Sequence, residues 1–190
     1  MTPKIHEAIN YAAKRHAGQV RKSTSLPYLV HPMEVMGILI ENACSEDVVV
    51  AGILHDVIED TCDDNDIIRD IVRKEIKNRF GENVLKIVNS ESEDKSKSWK
   101  ERKQATLDSL KHDSLEVRLV CCADKLSNIM SIRADKEKLG DKVFDRFNAP
   151  KENLAWYYKG VLESLNLEGY RMFEEYKNCV TEVFGELFWT

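Results

Sequence analysis

The sequence predicts an all-α fold, an orthogonal bundle of helices, and three observations carry that reading. Only eight Gly and four Pro interrupt 190 residues, which leaves room for long helices. Apolar residues recur at three- and four-residue spacing in one segment after another, and no segment shows the strict alternation of a strand. Cap and stop residues stand at the ends of those segments.

Thr2 caps a first helix with Pro3 in its first turn, an apolar face of Ile5, Ile9, Ala12 and Ala13, and a stop near Gly18. Residues 19–30 read as a loop that contains the adjacent cations Arg21 and Lys22, which are either surface charge or phosphate ligands. His31-Pro32 opens a second, mostly buried helix. Ser45 caps a third, which is expected to run on unbroken through residues 52–61. A fourth spans roughly 65–80, with Ile67, Ile68, Ile71, Val72, Ile76 and Phe80 on its apolar face and Gly81 at its end. A short fifth carries Val84, Leu85, Ile87 and Val88.

The polar run 89–97 lacks periodicity and reads as a mobile loop. Ser98 and Glu101 match a capping box for a helix that reaches about His112. Lys95, Lys97, Lys100, Arg102 and Lys103 form a basic patch there, read equally well as a solvated face. Ser114 caps the next helix, through Val117–Ala123 and on to Met130. Residues 144–149 connect to a helix begun by Pro150, and a last apolar-faced helix starts near Tyr170 and includes Leu187. Residues 1–190 are expected to form a single domain, with the helices of 148–190 packed on the rest.

Bulk properties narrow the function. A net charge of −5 disfavours nonspecific binding to nucleic acid or anionic membrane. No run of eighteen apolar residues exists, and the N-terminal residues lack the apolar core of a signal peptide. Cys44, Cys62, Cys121, Cys122 and Cys179 are odd in number and form no C-x-x-C pair, which fits reduced thiols in a cytoplasm.

The chemistry concentrates in Gly52-Ile53-Leu54-His55-Asp56-Val57-Ile58-Glu59-Asp60-Thr61. On a helix, His55 and Glu59, and Asp56 and Asp60, are i,i+4 pairs on one stripe. An apolar helix carries such groups inward only if they are paired or bind a cation. Alone, the stretch reads equally as a solvated helix end. Two further polar residues lie in apolar surroundings: His31 at a helix start, and Asp124 after Val117–Ala123 with Asn128 one turn on. His31, His55, Asp56 and Asp124 make a mixed nitrogen and oxygen set. It suits Mn²⁺, Fe²⁺ or Zn²⁺ and is too rich in nitrogen for a typical Ca²⁺ or Mg²⁺ cage.

The order His31…His55-Asp56…Asp124 resembles that of the HD-domain phosphohydrolases. Four segments resemble, more narrowly, the hydrolase domain of RelA/SpoT-type alarmone enzymes: residues 16–22 (HAGQVRK), 27–32 (PYLVHP), 54–61 (LHDVIEDT) and 123–128 (ADKLSN). The resemblance covers roughly residues 4 to 135 and implies a stand-alone small alarmone hydrolase with the HD-domain helical bundle. It implies Mn²⁺-dependent removal of the 3′-diphosphate of guanosine tetra- or pentaphosphate, giving GDP or GTP and pyrophosphate. Carried onto this chain, His31, His55, Asp56 and Asp124 are metal ligands, and Glu59 and Asp60 the acid/base pair. Arg21 and Lys22 hold the nucleotide, and Asn128 contacts its ribose.

Three departures bear on the pocket. Residues 21–27 are longer than the family's usual form and lack its Gly, Val88-Asn89-Ser90 replaces a usual Val-Thr, and Lys125 stands where Arg is commoner. Base identity is therefore less determined than metal chemistry. The expected partner is a phosphorylated guanosine nucleotide, with no nucleic acid or membrane; self-association stays open. An HD-type phosphohydrolase of another nucleotide, or a noncatalytic nucleotide- or metal-sensing module, are the alternatives. The intact Glu59-Asp60 pair argues against the sensor.

Overall fold

A computed structural model of the chain describes residues 1–22, 24–62, 65–90 and 97–185. Its elements in order are α1 (Pro3–Arg15), α2 (Val30–Glu41), α3 (Glu46–Leu54), α4 (Val57–Asp60), α5 (Asp66–Phe80), α6 (Glu82–Ser90), α7 (Trp99–Leu110), α8 (Leu115–Leu139), a 3₁₀ helix (Gly140–Arg146), α9 (Lys151–Leu165) and α10 (Arg171–Phe184). Among the described residues the β-structure amounts to one isolated antiparallel bridge, Val20 to Pro27. That bridge pinches the loop after α1 into a hairpin, with Arg21 N bonded to Leu26 O and Tyr28 N to Gln19 O.

Two helices form the centre. Every residue of α3 from Val48 to Leu54 is buried, and α8 buries Leu119 through Asp124 without a break. A helix that is apolar all round must be enclosed, and α8 is covered by α2, α3 and α10. The α2–α3 crossing is close because of Gly52: a Cβ there would collide with the Leu39 side chain. Asp124 and Ser127 of α8, and His55 just past the end of α3, are thus held in the core.

Most caps are where the sequence places them. Thr2 accepts from Ile5 N and Ser114 from Val117 N, and Ser98 and Glu101 close a capping box; Asn65, at the start of the fourth helix, also caps, accepting from Ile67 N and Ile68 N. Ser45 holds the N-cap position of α3, but its side chain makes no capping bond. The helix from Ser114 runs nine residues beyond Met130, to Leu139. α7 stops at Leu110, just short of His112.

Three expectations change. The third helix is not continuous through the polar stretch: α3 ends at Leu54, His55 and Asp56 form a turn, and α4 resumes at Val57. The regular one-stripe geometry of residues 55–60 is therefore replaced by a bent one. The apolar face of α5 is narrower than its sequence indicates, since Ile67 is 74% exposed and Ile71 51%, while Val72, Ile76 and Phe80 are buried. The 89–97 run begins inside α6, which holds Asn89 and Ser90. Residues 91–96, with Lys95 of the basic patch, lie outside the described residues, as does Leu187.

Candidate metal centre

His31 enters from the first turn of α2, His55 and Asp56 from the break between α3 and α4, and Asp124 from the middle of α8. His31, His55 and Asp124 are 2%, 3% and 5% exposed, and Asp56 is half-buried. One ligand atom from each of His31, His55 and Asp56 lies within 4.8 Å of the others. Asp124 faces both rings, with Oδ1 3.1 Å from His31 Nε2 and 3.7 Å from His55 Nε2. Asp56 Oδ2 lies 2.9 Å from His55 Nε2 and 3.6 Å from His31 Nε2.

The outer sides of the rings decide what this cluster can hold. His55 Nδ1 lies 2.8 Å from the Gly52 carbonyl, which can only accept, so Nδ1 carries the proton. His31 Nδ1 lies 2.9 Å from Ser127 Oγ, and that hydroxyl gives its single hydrogen to Glu34 Oε2 at 2.7 Å. His31 Nδ1 must therefore be the donor as well. Both neutral rings then turn a bare Nε2 toward two carboxylates, and His55 Nε2 is a buried atom with no hydrogen-bond partner. Four lone-pair groups converging in a buried place require a positive centre. The donor set fits a divalent transition metal, and the ring orientation by outer hydrogen bonds is the kind that metal-binding imidazoles use.

The electrostatics agree. Burial works against charge on the His55 ring, yet the Asp56 and Asp124 carboxylates that face its Nε2 raise its pKa well above the usual imidazole value. A field that favours a proton there favours a cation equally. Burial also opposes ionisation of Asp124, but the Lys125 ammonium beside it and the two imidazoles hold it well below the carboxylate range. Tyr28 donates to Asp56 Oδ2 at 2.5 Å. Burial and the Asp56 and Asp60 charges push its hydroxyl far above the usual phenol value, which keeps it a donor.

His31, Asp56 and Asp124 line a cavity of about 440 Å³. Glu59 and Asp60 line it too, Glu59 half-buried and Asp60 more open. Burial and the Asp56 charge raise the Asp60 carboxyl. Arg21, Lys22 and Asn128 complete the set read from the sequence. Arg21 Nη2 donates to Asn128 Oδ1 at 3.1 Å, and Asn128 Nδ2 donates to Asp124 Oδ1 at 2.6 Å. Arg21 Nη1 is buried without a partner. Lys22 is exposed and reaches Asn148 Oδ1 at 3.4 Å.

A family model described as HD domain matches residues 8–150, three quarters of the chain. The chain belongs to the HD-domain family. Guanosine-3′,5′-bis(diphosphate) 3′-pyrophosphohydrolase MESH1 of Drosophila melanogaster is 33% identical over 135 residues, which cover 70% of this HD-domain chain and 71% of that protein. The human MESH1 is 36% identical over 129 residues, 66% of this chain and 68% of that one. Among solved structures, a metazoan ortholog of SpoT that hydrolyses ppGpp superposes with a TM-score of 0.76 at 27% identity, covering 97% of both chains.

Around its histidine and aspartate pair, this HD-domain protein uses residues that the sequence reading did not assign. Tyr28, Lys125, Ser127 and Glu34 each touch a candidate ligand or the side chain behind it. A signal existed for two of them. Glu34 lies one turn past His31, and Ser127 lies one turn past Asp124 on the buried part of α8. His16 and Gln19 belong to the segment 16–22 and carry no role assigned from the sequence. His16 is buried, stacks on Tyr28 with centroids 4.9 Å apart, and pairs through Nδ1 with Gln19 Oε1 at 2.7 Å.

Proposed function

We propose that this chain is a metal-dependent phosphohydrolase that removes the 3′-diphosphate of guanosine 3′,5′-bis(diphosphate), or of the corresponding pentaphosphate. Water is consumed, and pyrophosphate is released with GDP or GTP. The observation that carries the reading is the pair of imidazoles whose protons are fixed on the outer nitrogens, so that both bare nitrogens face Asp56 and Asp124. The names of the MESH1 relatives support the substrate.

In this reading His31, His55, Asp56 and Asp124 hold one divalent ion; the donor set suits Mn²⁺, Fe²⁺ or Zn²⁺, and the resemblance to the RelA/SpoT-type hydrolases favours Mn²⁺. Such an ion supplies charge neutralisation at phosphorus and water activation near neutral pH. The chain's own groups do the rest. Glu59 and Asp60 move protons between the attacking water and the leaving oxygen. A carboxyl raised above its ordinary value, as Asp60 is, suits a group that must hold a proton and give it up. Arg21 pairs with phosphate oxygens through the guanidinium edge left without a partner, Lys22 closes the open side, and Asn128 contacts the ribose. The whole chain acts as one domain. The free thiols support a reducing cytoplasmic setting, and among the described residues no helix is long and apolar enough to cross a membrane.

The test is turnover. Purified protein supplied with Mn²⁺ and guanosine tetraphosphate should release one pyrophosphate per nucleotide consumed, and a chelator should stop it. Release of orthophosphate alone, or no turnover by metal-loaded protein, would sink the assignment.

A further inference from the structure

α4 carries Glu59 and Asp60 but has little of its own to hold its shape. It is four residues long, and a single helical turn fixes more backbone than its own hydrogen bonds repay. Val57 and Ile58 anchor its apolar side in the core. At its far end the main-chain oxygens have no helical amide to meet and need partners from elsewhere.

Arg15, the last residue of α1, reaches that end across 46 positions of the chain. Its Nε donates to Thr61 Oγ1 at 3.0 Å and its Nη2 to the Thr61 main-chain oxygen at 3.4 Å, with Cys62 Sγ 3.7 Å from the same nitrogen. The Thr61 hydroxyl gives its own hydrogen to the oxygen of Val57, the first residue of α4, at 2.7 Å. One planar guanidinium thus grips Thr61 by side chain and main chain, and through the hydroxyl it reaches the start of α4. The grip is firm at the α1 end. Ala8, Tyr11 and Ala12 are buried, and the Tyr11 hydroxyl donates to Glu75 Oε2 of α5 at 2.5 Å.

Arg15, Thr61 and Cys62 lie outside the cavity lining, so the guanidinium acts on nothing bound there directly. What it sets is the pose of the two residues just before Thr61, which are Glu59 and Asp60. Proton transfer tolerates little error of position, and a displacement of about 1 Å can cost about 10²-fold in rate.

We infer that Arg15 is a positioning residue for the acid/base pair: it fixes the end of α4 and acts on turnover through Glu59 and Asp60. The inference rests on the reaction proposed above and adds to it a residue that lines neither the cavity nor the metal centre.

Arg15→Met keeps an apolar stem and removes every contact of the guanidinium. With Mn²⁺ and guanosine tetraphosphate it should lower kcat about tenfold or more, the size of one charge-assisted hydrogen bond, while KM and Mn²⁺ affinity stay within about twofold. Arg15→Lys keeps the charge without the fork and should recover part of the loss. The deciding measurement is single-turnover kinetics in a Glu59→Gln, Asp60→Asn background. There Arg15→Met should cost nothing further, because the groups it positions are gone. A loss that persists there in full, a loss expressed in Mn²⁺ affinity, or wild-type kcat in Arg15→Met each overturns the inference and leaves the reaction standing. Should melting show that Arg15→Met does not fold, Thr61→Val deletes the hydroxyl partner at nearly equal volume, and the same comparisons apply to it. A wild-type chain that does not hydrolyse the nucleotide removes the reaction and this role together.

Discussion

Gln19 Nε2 donates to the main-chain oxygen of Asp60 at 2.8 Å, joining residues 41 positions apart in the chain. Because its amide nitrogen is committed to Asp60, its oxygen must take the proton of His16 Nδ1, which lies 2.7 Å away. The end of α1 is in this way tied to the end of α4, where the proposed acid/base pair sits. Gln19→Met, similar in volume and unable to make either bond, should lower kcat about tenfold while KM and bound metal stay near wild type. Steady-state kinetics with metal analysis on the same preparation tests it. Equal kcat in the two proteins would reduce the tie to a fold contact.

Ser127 should matter to the metal although it touches none. Ser127→Ala removes the acceptor that fixes the His31 proton on Nδ1 and leaves Glu34 without its donor. Loss of an outer partner of this kind costs about 10–100-fold in metal affinity. Calorimetric titration of metal-free protein with Mn²⁺ gives the number directly. A wild-type dissociation constant would show that the ring orientation is set elsewhere.

Asp56 and Glu59 lie three residues apart, and their substitutions should differ in kind. Asp56→Asn weakens the contact with both imidazoles and should lose metal and turnover together. Glu59→Gln should retain metal and substrate affinity and lose about 10²–10⁴-fold in kcat. Measuring metal content beside single-turnover rates distinguishes the two. If Glu59→Gln and Asp60→Asn both turn over at the wild-type rate, proton transfer does not depend on this pair.

Asp60 links activity to stability. Burial, and then the Asp56 charge, raise its carboxyl above the ordinary value, so folding favours the protonated form. The native state binds more protons than the unfolded chain between those two values, and this contribution to stability is lost as pH rises through the folded pKa. Above the folded value the ionised side chain is a cost. Asp60→Asn should therefore raise the Tm of the metal-free protein at pH 7 while lowering kcat, and the gain should vanish as pH falls into the ordinary carboxylate range. Melting curves at several pH values test the sign; a variant less stable at pH 7 contradicts it.

The parts of this molecule that the sequence discloses are those governed by nearest neighbours. Thr2, Asn65, Ser98 and Ser114 sit at helix starts because a side-chain oxygen satisfies amides two or three residues on. His31, His55 and Asp124 stand out because an ionisable group inside an apolar run needs a reason that its own segment does not supply. What stays hidden depends on residues far away in the chain. Ile67 and Ile71 fit a helical face, but among the described residues no element covers that side of α5. The Arg21–Asn128 bond spans 107 residues and the Ser127–Glu34 bond 93, and no local pattern encodes either partner. The break at His55-Asp56 is equally unreadable, since both residues are compatible with a helix and the turn is set by what they face.

That break gives α3 a directional field at the candidate metal centre. A helix ends in carbonyl oxygens that have no amide partners within it, and the aligned peptide dipoles place a partial negative charge there. α3 stops one residue before His55, so its negative pole abuts the cluster, and one of its last carbonyls, that of Gly52, orients the imidazole. Had the helix run on through Asp60, the carbonyls near His55 would face helical amides and the pole would fall a turn or more beyond the cation. Ending the helix early makes the main chain itself an electronegative partner, one that side-chain mutagenesis leaves in place.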